Sequence, residues 1–232
     1  YSQLAKVKKE FLVKKPKNIS NKETMIMGTA GFTALLCALA VNARESLLLG
    51  EKVNDVLVTG ATGGVGSVAV MALSKMGYNV TAVTGKPENV EILKKLGAKN
   101  IVNRSEFEGE TKLLGKAIWD GVVDTVGGNI LAHAITQTKH SGIIAACGNA
   151  GGVKLNTNVM PFILRGVKLW GIDSIQISMK RREFVWSQVE RLIDFNVLDE
   201  VVQTISMDEL INIFPQILKG QVSGRIVVDV NK

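Results

Sequence analysis

The sequence predicts an α/β fold: a doubly wound parallel sheet of the Rossmann type, layered αβα. Three observations carry this. Short apolar, strand-like runs alternate with helical segments of about ten residues, the signature of right-handed βαβ crossovers. The first run, DVLVT at 55–59, is nearly continuously apolar and closes on Gly60, as suits a strand buried on both faces. A glycine-rich stretch, TGATGGVGS at 59–67, then leads directly into a helical pattern.

Before that core, residues 1–16 read as the last strand and exit of a preceding domain, with a solvated basic face over 6–17. The chain opens without an initiator methionine, so an N-terminal truncation is expected. Asn21 is the expected cap of a helix over 22–41, apolar on nearly every face and therefore buried. Its richest part is interrupted by Gly28, Thr29, Gly31 and Thr33, and no apolar run reaches the roughly 18 residues of a membrane span.

After the first strand come a helix over 65–76 stopped by Gly77 and a strand at 79–84. A helix over 88–96 follows, with Pro87 at its first turn and Gly97 at its end. Strands at 100–102, 121–125 and 142–147, with a helix over 128–138, continue the pattern, and 167–172 supplies a sixth strand at an edge. One long amphipathic helix over 180–195, a strand at 201–205, a helix over 208–219 and a strand at 225–230 then break the alternation. The expected division is a domain remnant at 1–21, a nucleotide-binding domain at 22–174 and a returning segment at 175–232.

An apolar fraction of 46% with four prolines fits an ordered, well-packed protein. The formal charge of +7 suits a polyphosphate ligand as well as a nucleic acid, but no nucleic-acid module accompanies it. Neither a nucleic-acid nor a membrane partner is expected. Cys37 and Cys147 sit among small apolar residues, as reduced thiols of a cytoplasmic protein do. Two isolated cysteines and two histidines, His133 and His140, give no spacing for zinc, so no metal is expected.

Within the loop, Gly60 permits a tight turn, and Gly63 and Gly64 let the backbone approach a pyrophosphate. Gly66 lets the helix pack closely on the strand. Thr62 and Val65 complete a cradle whose N-terminal amides favour an anion. A glycine-rich turn without a ligand is the plainer alternative. Position at the first strand–helix junction favours dinucleotide binding.

The second strand ends on Thr84, Gly85 and Lys86, where an NAD-preferring fold places a carboxylate for the ribose 2′-hydroxyl. A hydroxyl, a glycine and a cation suit a 2′-phosphate instead, so NADPH is expected over NADH. Arg104, beyond the third strand, is a second candidate for the adenosine end. No motif marks a general acid, and no catalytic residue is assigned.

With these motifs placed, the chain resembles the acrylyl-CoA reductase (YhdH/AcuI-type) branch of the quinone-oxidoreductase-like medium-chain reductases. The phrases GTAGFTA (28–34), VTGATGGVGSVAV (58–70), VTGK (83–86), DTVG (124–127), AACGNAGG (145–152), VMPFILRGVKLWGIDS (159–174) and QVSGR (221–225) carry the resemblance. The glycine loop and DTVG are widely shared among medium-chain reductases, whereas the VMPFILR…GIDS phrase is specific to this branch. The resemblance implies an NADPH-dependent, zinc-free reduction of an activated carbon–carbon double bond by a homodimer. It also implies that the outer segments belong to an incomplete GroES-like catalytic domain.

The same resemblance implies cofactor contacts from Asn149, Ile163 and Ser174 along the nicotinamide path. The family often has Leu at position 149 and Asn-Asn before QxxGR, where Lys219 and Gly220 stand here. Plainer readings make Asp124 a cap for its turn, the MPFIL run helix core, and Cys147 a packed residue. The expected substrate is an enoyl-CoA, with Lys180, Arg181 and Arg182 available to its phosphates. A quinone or enone reductase, or a non-catalytic NADPH-binding protein, are the alternatives.

Overall fold

The computed structural model describes residues 1–47 and 54–232. Its central sheet comprises β1 (Asp55–Val58), β2 (Asn79–Thr84), β3 (Asn100–Asn103), β4 (Trp119–Asp124), β5 (Thr138–Ala146) and β6 (Lys168–Gly171). All pair in parallel, in the order β3-β2-β1-β4-β5-β6. That order reverses direction between β1 and β4, which opens a crevice at their carboxyl ends.

Alternation along the strands sorts the core into two layers. Val56 and Val58 of β1 pack into one cluster with α1 (Asn21–Leu47), α2 (Gly64–Lys75) and α3 (Val90–Lys95). Leu57, between them, joins the opposite cluster with Val122, Ile144 and the α4 (Gly128–Gln137) residues Leu131 and Ile135. The helix α5 (Met160–Arg165) contributes Phe162 to that second layer. The three-layer expectation is therefore met.

The N-cap of α1 is Ser20, one residue before the expected Asn21. The Ser20 hydroxyl accepts from the Glu23 amide at 3.1 Å, while the Glu23 carboxylate accepts from the Ser20 amide. This reciprocal capping box outcompetes a lone Asn cap because it satisfies two backbone donors at once. The helix is interrupted at Gly28, whose φ of 45° and ψ of −154° are non-helical. By length and composition the stretch Asn21–Arg44 is apolar enough to cross a bilayer, with mean hydropathy 1.9. It is instead packed inside the domain, with Leu35, Leu36 and Val41 fully enclosed.

Two further expectations fail. Residues 1–16 form no strand, only a 3-10 turn at Lys9–Phe11, and Leu4 and Phe11 are 90% and 67% exposed. A strand needs a neighbour for its amides and carbonyls, and among the described residues none lies alongside this segment. The long helix expected over 180–195 is divided into α6 (Met179–Ser187) and α7 (Val189–Leu192), with α8 (Phe195–Leu198) beginning at its expected last residue. Ile193 and Asp194 are extended, and the Asp194 carboxylate accepts from the Asn196 amide at 3.2 Å to cap α8. The break lets Val189, Leu192, Ile193 and Leu198 all reach the α1–α2 core layer.

The tail continues through β7 (Val202–Ser206), α9 (Leu210–Leu218) and β8 (Arg225–Asp229). β7 and β8 pair with each other in parallel, outside the central sheet, and Val227 joins the α1–α2 core layer.

At the amino ends of the strands, a charged cluster ties the layers together. Asp120 is nearly enclosed and accepts from the amides of Asn54 and Asp55 at 3.2 and 3.0 Å. Arg44 of α1 pairs with Asp120 at 3.4 Å and donates to the His140 carbonyl at 3.1 Å. Lys139 bridges Asp55 and Asp120 at 2.9 and 3.0 Å.

Candidate functional site

The opposite edge, at the carboxyl ends of the strands, gathers most of the expected site residues. Gly63 is the N-cap of α2, with Gly64, Val65 and Gly66 in its first turn. A Cβ on Gly66 would collide with the Gly60 carbonyl and lie 2.7 Å from the Ala61 Cα, so this helix can sit on its turn only without a side chain there. At Gly63 such a Cβ would press on the Gly60 carbonyl at 3.3 Å, the same carbonyl that the Gly63 amide bonds at 2.9 Å, so the turn is closed tightly on itself. Thr62 is held at its carbonyl by the Gly224 amide at 2.8 Å.

A hydrogen-bonded network lies beneath the β1–β4 crevice. The Thr59 hydroxyl donates to Asp124 at 2.7 Å, and the Thr125 amide donates back to the Thr59 hydroxyl at 3.1 Å. Asp124 also accepts from the Gly127 amide at 2.8 Å, so it does cap the turn after β4. Burial pushes its carboxyl above the usual aspartate value, although the Thr59 hydroxyl and the Gly127 and Val126 amides oppose that shift.

At the end of β2, the Thr84 hydroxyl accepts from the Lys86 amide at 3.0 Å, fixing the turn. Arg104 begins a 3-10 turn after β3, and its side chain lies over Gly85, where a Cβ would stand 2.7 Å from Nε. Cations from two strand ends thus flank this turn, Arg104 over Gly85 and Lys86 directly after it, with no carboxylate among residues 84–86. The Lys86 ammonium donates to the Val222 carbonyl at 3.2 Å and the Ser223 hydroxyl at 2.9 Å. Glycine spacing, open amides and paired cations together fit a dinucleotide carrying a 2′-phosphate.

The loops after β4 and β5 touch backbone to backbone. Gly127 bridges Gly152, and a Cβ on Gly148 would strike the Thr125 carbonyl. Asn149 is exposed in this loop, and its carbonyl accepts from the Gly152 amide at 2.9 Å. Ser174 follows β6 on the same edge, half-buried, with its carbonyl accepting from Arg182 at 3.2 Å. Arg182 also stacks over Phe32 at 5.0 Å, which leaves Lys180 and Arg181 as the exposed cations of that run.

Ile163 is different. It lies on α5 with 67% exposure, beside the equally open Leu164 at 55%, so the MPFIL run is not uniformly core. Nothing at the strand ends positions it. Cys147 is half-buried and its thiol donates to the Asp124 carbonyl at 3.5 Å, while the neighbouring Cys147 and burial push the Cys37 thiol up. Among the described residues no group of three or more His, Cys, Asp or Glu is placed to hold a metal ion.

Two residues of this edge escaped the sequence reading as site residues. Arg225 donates through Nε to the Ile26 carbonyl at 2.8 Å and through Nη2 to the Met27 carbonyl at 3.3 Å. It thereby closes the helix end before Gly28, and it lies beside Gly64. Ser223 anchors Lys86. Both belong to the QVSGR phrase, but nothing local in the chain shows what that phrase touches.

A 3-2-1-4-5-6 parallel sheet with a glycine loop at its first strand–helix turn defines a dinucleotide-binding oxidoreductase domain. The zinc-binding dehydrogenase family model matches residues 64–193. Acrylyl-CoA reductase AcuI of Ruegeria pomeroyi is 45% identical, over 100% of this chain and 69% of its own length. The Bacillus subtilis protein YhfP, described as a putative quinone oxidoreductase, is 42% identical over 98% of this chain and 68% of its own. Among solved structures, the yhdH oxidoreductase of Salmonella enterica in complex with NADP superimposes with a TM-score of 0.92. It is 41% identical, over 97% of this chain and 68% of that one. The B. subtilis yhfP structure, with NAD bound, gives a TM-score of 0.89 at 40% identity, over 97% of this chain and 68% of that one. The chain belongs to the zinc-binding dehydrogenase family and, within it, to the acrylyl-CoA reductase branch of the medium-chain reductases.

Proposed function

We infer that this protein is an NADPH-dependent reductase of activated carbon–carbon double bonds, and that acrylyl-CoA, reduced to propionyl-CoA, is its substrate. The observation that carries the cofactor is the second-strand turn beside the glycine loop, with Arg104 over Gly85, Lys86 held at Ser223 and no carboxylate among residues 84–86. The substrate class follows the named activity of the 45% identical relative.

The chain's own residues divide the work of binding. The first-turn amides of Gly64, Val65 and Gly66 hold the pyrophosphate in the field of the α2 N-terminus, while the Gly63 amide closes the turn onto the Gly60 carbonyl. Lys86, Arg104 and the Thr84 hydroxyl receive the 2′-phosphate. Asn149 offers main-chain contacts to the nicotinamide end, and Ser174 lines its approach. When bound, NADPH would supply a hydride to the β-carbon of the enoyl thioester, becoming NADP⁺, and a proton from solvent would complete the α-carbon. The protein's contribution is to fix that end of the cofactor against the strand edge and so hold the reacting atoms in line. Lys180 and Arg181, exposed near Ser174, meet the phosphates of CoA.

The assembly is a cytoplasmic homodimer. Its supporting feature is β6, an edge strand with every residue exposed and with Leu169 and Trp170 at 38% and 41%. Residues 1–21 and 175–232 belong with a second, catalytic unit, and the exposed Ile211, Phe214 and Leu218 of α9 are the apolar surface it covers.

A quinone or enone reductase is the second reading, favoured by the likeness to YhfP. The deciding experiment follows NADPH absorbance with acrylyl-CoA and a simple quinone in parallel, using NADH as control. Oxidation of NADPH with acrylyl-CoA alone supports the enoyl-thioester reading. Turnover with the quinone alone moves the protein to the second.

A further inference from the structure

We propose that Ser223 is a positioning residue that sets the preference for NADPH over NADH by holding Lys86 in place, a reading that rests on the 2′-phosphate seat proposed above. A lysine at an open turn is a flexible, hydrated charge, and ordering its side chain for a ligand costs rotamer entropy. Here that ordering is done before the ligand arrives. The Ser223 hydroxyl and the Val222 carbonyl take two of the three ammonium protons, at 2.9 and 3.2 Å, and leave the third for a phosphate oxygen. Ser223 accepts from Lys86 and, at 3.5 Å, from the Asn89 amide group, so its own proton is left to donate.

The latch is only as good as its footing, and the footing is firm on both sides. The next residue, Gly224, donates to the Thr62 carbonyl of the glycine loop at 2.8 Å, with a φ of 68° and no room for a side chain against Val201. One residue further, Arg225 grips the Ile26 and Met27 carbonyls. Residues 223–225 therefore tie the second-strand turn, the glycine loop and the first helix into one frame. A bare ribose hydroxyl gains little from a placed ammonium, whereas a 2′-phosphate gains a charge-assisted hydrogen bond at no further ordering cost. That difference is the discrimination.

The test titrates NADPH and NADH by fluorescence onto the full-length protein and its S223A, S223T, K86A and S223A/K86A variants. Removal of one latch hydrogen bond is expected to weaken NADPH about fivefold in S223A and to leave NADH within about twofold. S223T, which keeps the hydroxyl, retains the wild-type ratio. The double variant binds NADPH no more weakly than K86A, because Ser223 acts through Lys86. Equal loss of both cofactors in S223A, or full additivity with K86A, overturns the proposal. A clear K86A effect with a silent S223A also overturns it while leaving the phosphate seat intact. If K86A leaves the NADPH/NADH ratio unchanged, the seat itself is wrong and the proposal falls with it.

Discussion

Asp120 and Asp124 stand near opposite ends of the same strand, both enclosed, and their acidities move in opposite directions. At the amino end burial pushes Asp120 up, but the Asp55 amide, the Lys139 ammonium and the Asn54 amide outweigh it and hold the carboxyl below its usual value. At the carboxyl end the donors to Asp124 are neutral, and burial wins. The contrast extends to the whole sheet. Its amino edge spends charge on cohesion, with Arg44 and Lys139 locked onto Asp120 and Asp55. Its carboxyl edge keeps cations at the rim, on Lys86 and Arg104, and builds its floor from glycines, amides and hydroxyls. One edge is already electrically satisfied, and the other is arranged for a multiply charged visitor.

If the amino edge serves stability alone, breaking it should leave binding untouched. Asp120→Ala strands Arg44, whose side chain is 7% exposed, and costs on the order of 3–5 kcal/mol. Urea unfolding should register that loss, while the folded protein keeps its NADPH affinity. A matching loss of affinity would erase the division between the edges. Gly66→Ala should act on both quantities: overpacking against the Gly60 and Ala61 backbone costs about 1–3 kcal/mol, and displacement of α2 weakens NADPH at least about tenfold. Unfolding and cofactor titration of the same variant check both.

Arg104→Ala belongs to the rim and should leave stability within about 0.5 kcal/mol, as exposed positions do. It should weaken NADPH about fivefold and NADH hardly at all, measured as a ratio of dissociation constants. The smallest effect is the pH signature. Asp120 is depressed from an unfolded value of about 3.9, so its share of stability is present above that pH and is lost as pH falls through the folded value. Asp124 is raised, so its share is present below about 3.9 and is lost as pH rises through its folded value. Carboxyl-carbon NMR titration should place the two on either side of that value, and Asp120→Asn should flatten the acid limb of the stability profile. Two coincident titrations would contradict the contrast.

Much of the carboxyl edge was legible because its parts are contiguous. The apolar run, the glycines and the helix follow one another within 55–75, and each rule there is local. Strand alternation gave the sheet for the same reason. The Ser20 cap was also readable, since Glu23 stands three residues on, but Asn21 competed as an equally good cap by residue type. The amino-edge cluster and the Ser223–Lys86 contact were not legible, because their members lie 19 to 137 residues apart and meet only through the crossovers. The strand expected at 1–16 failed for a related reason: alternation describes a face, and a face becomes a strand only where a neighbour exists. The helix over 180–195 kept its periodicity across a break that Asp194 makes by capping the next turn.

The grip of Arg225 on the Ile26 carbonyl spans 199 positions of chain. Until the last strand has been synthesised, the first turns of α1 end on carbonyls that no partner has yet reached, and the floor beside the glycine loop is incomplete. A contact of that separation comes late, because loop closure has to be met before it contributes. The nucleotide seat therefore matures only once β8 has folded back on α1, and a nascent chain short of residue 225 carries the fingerprint without its finished form.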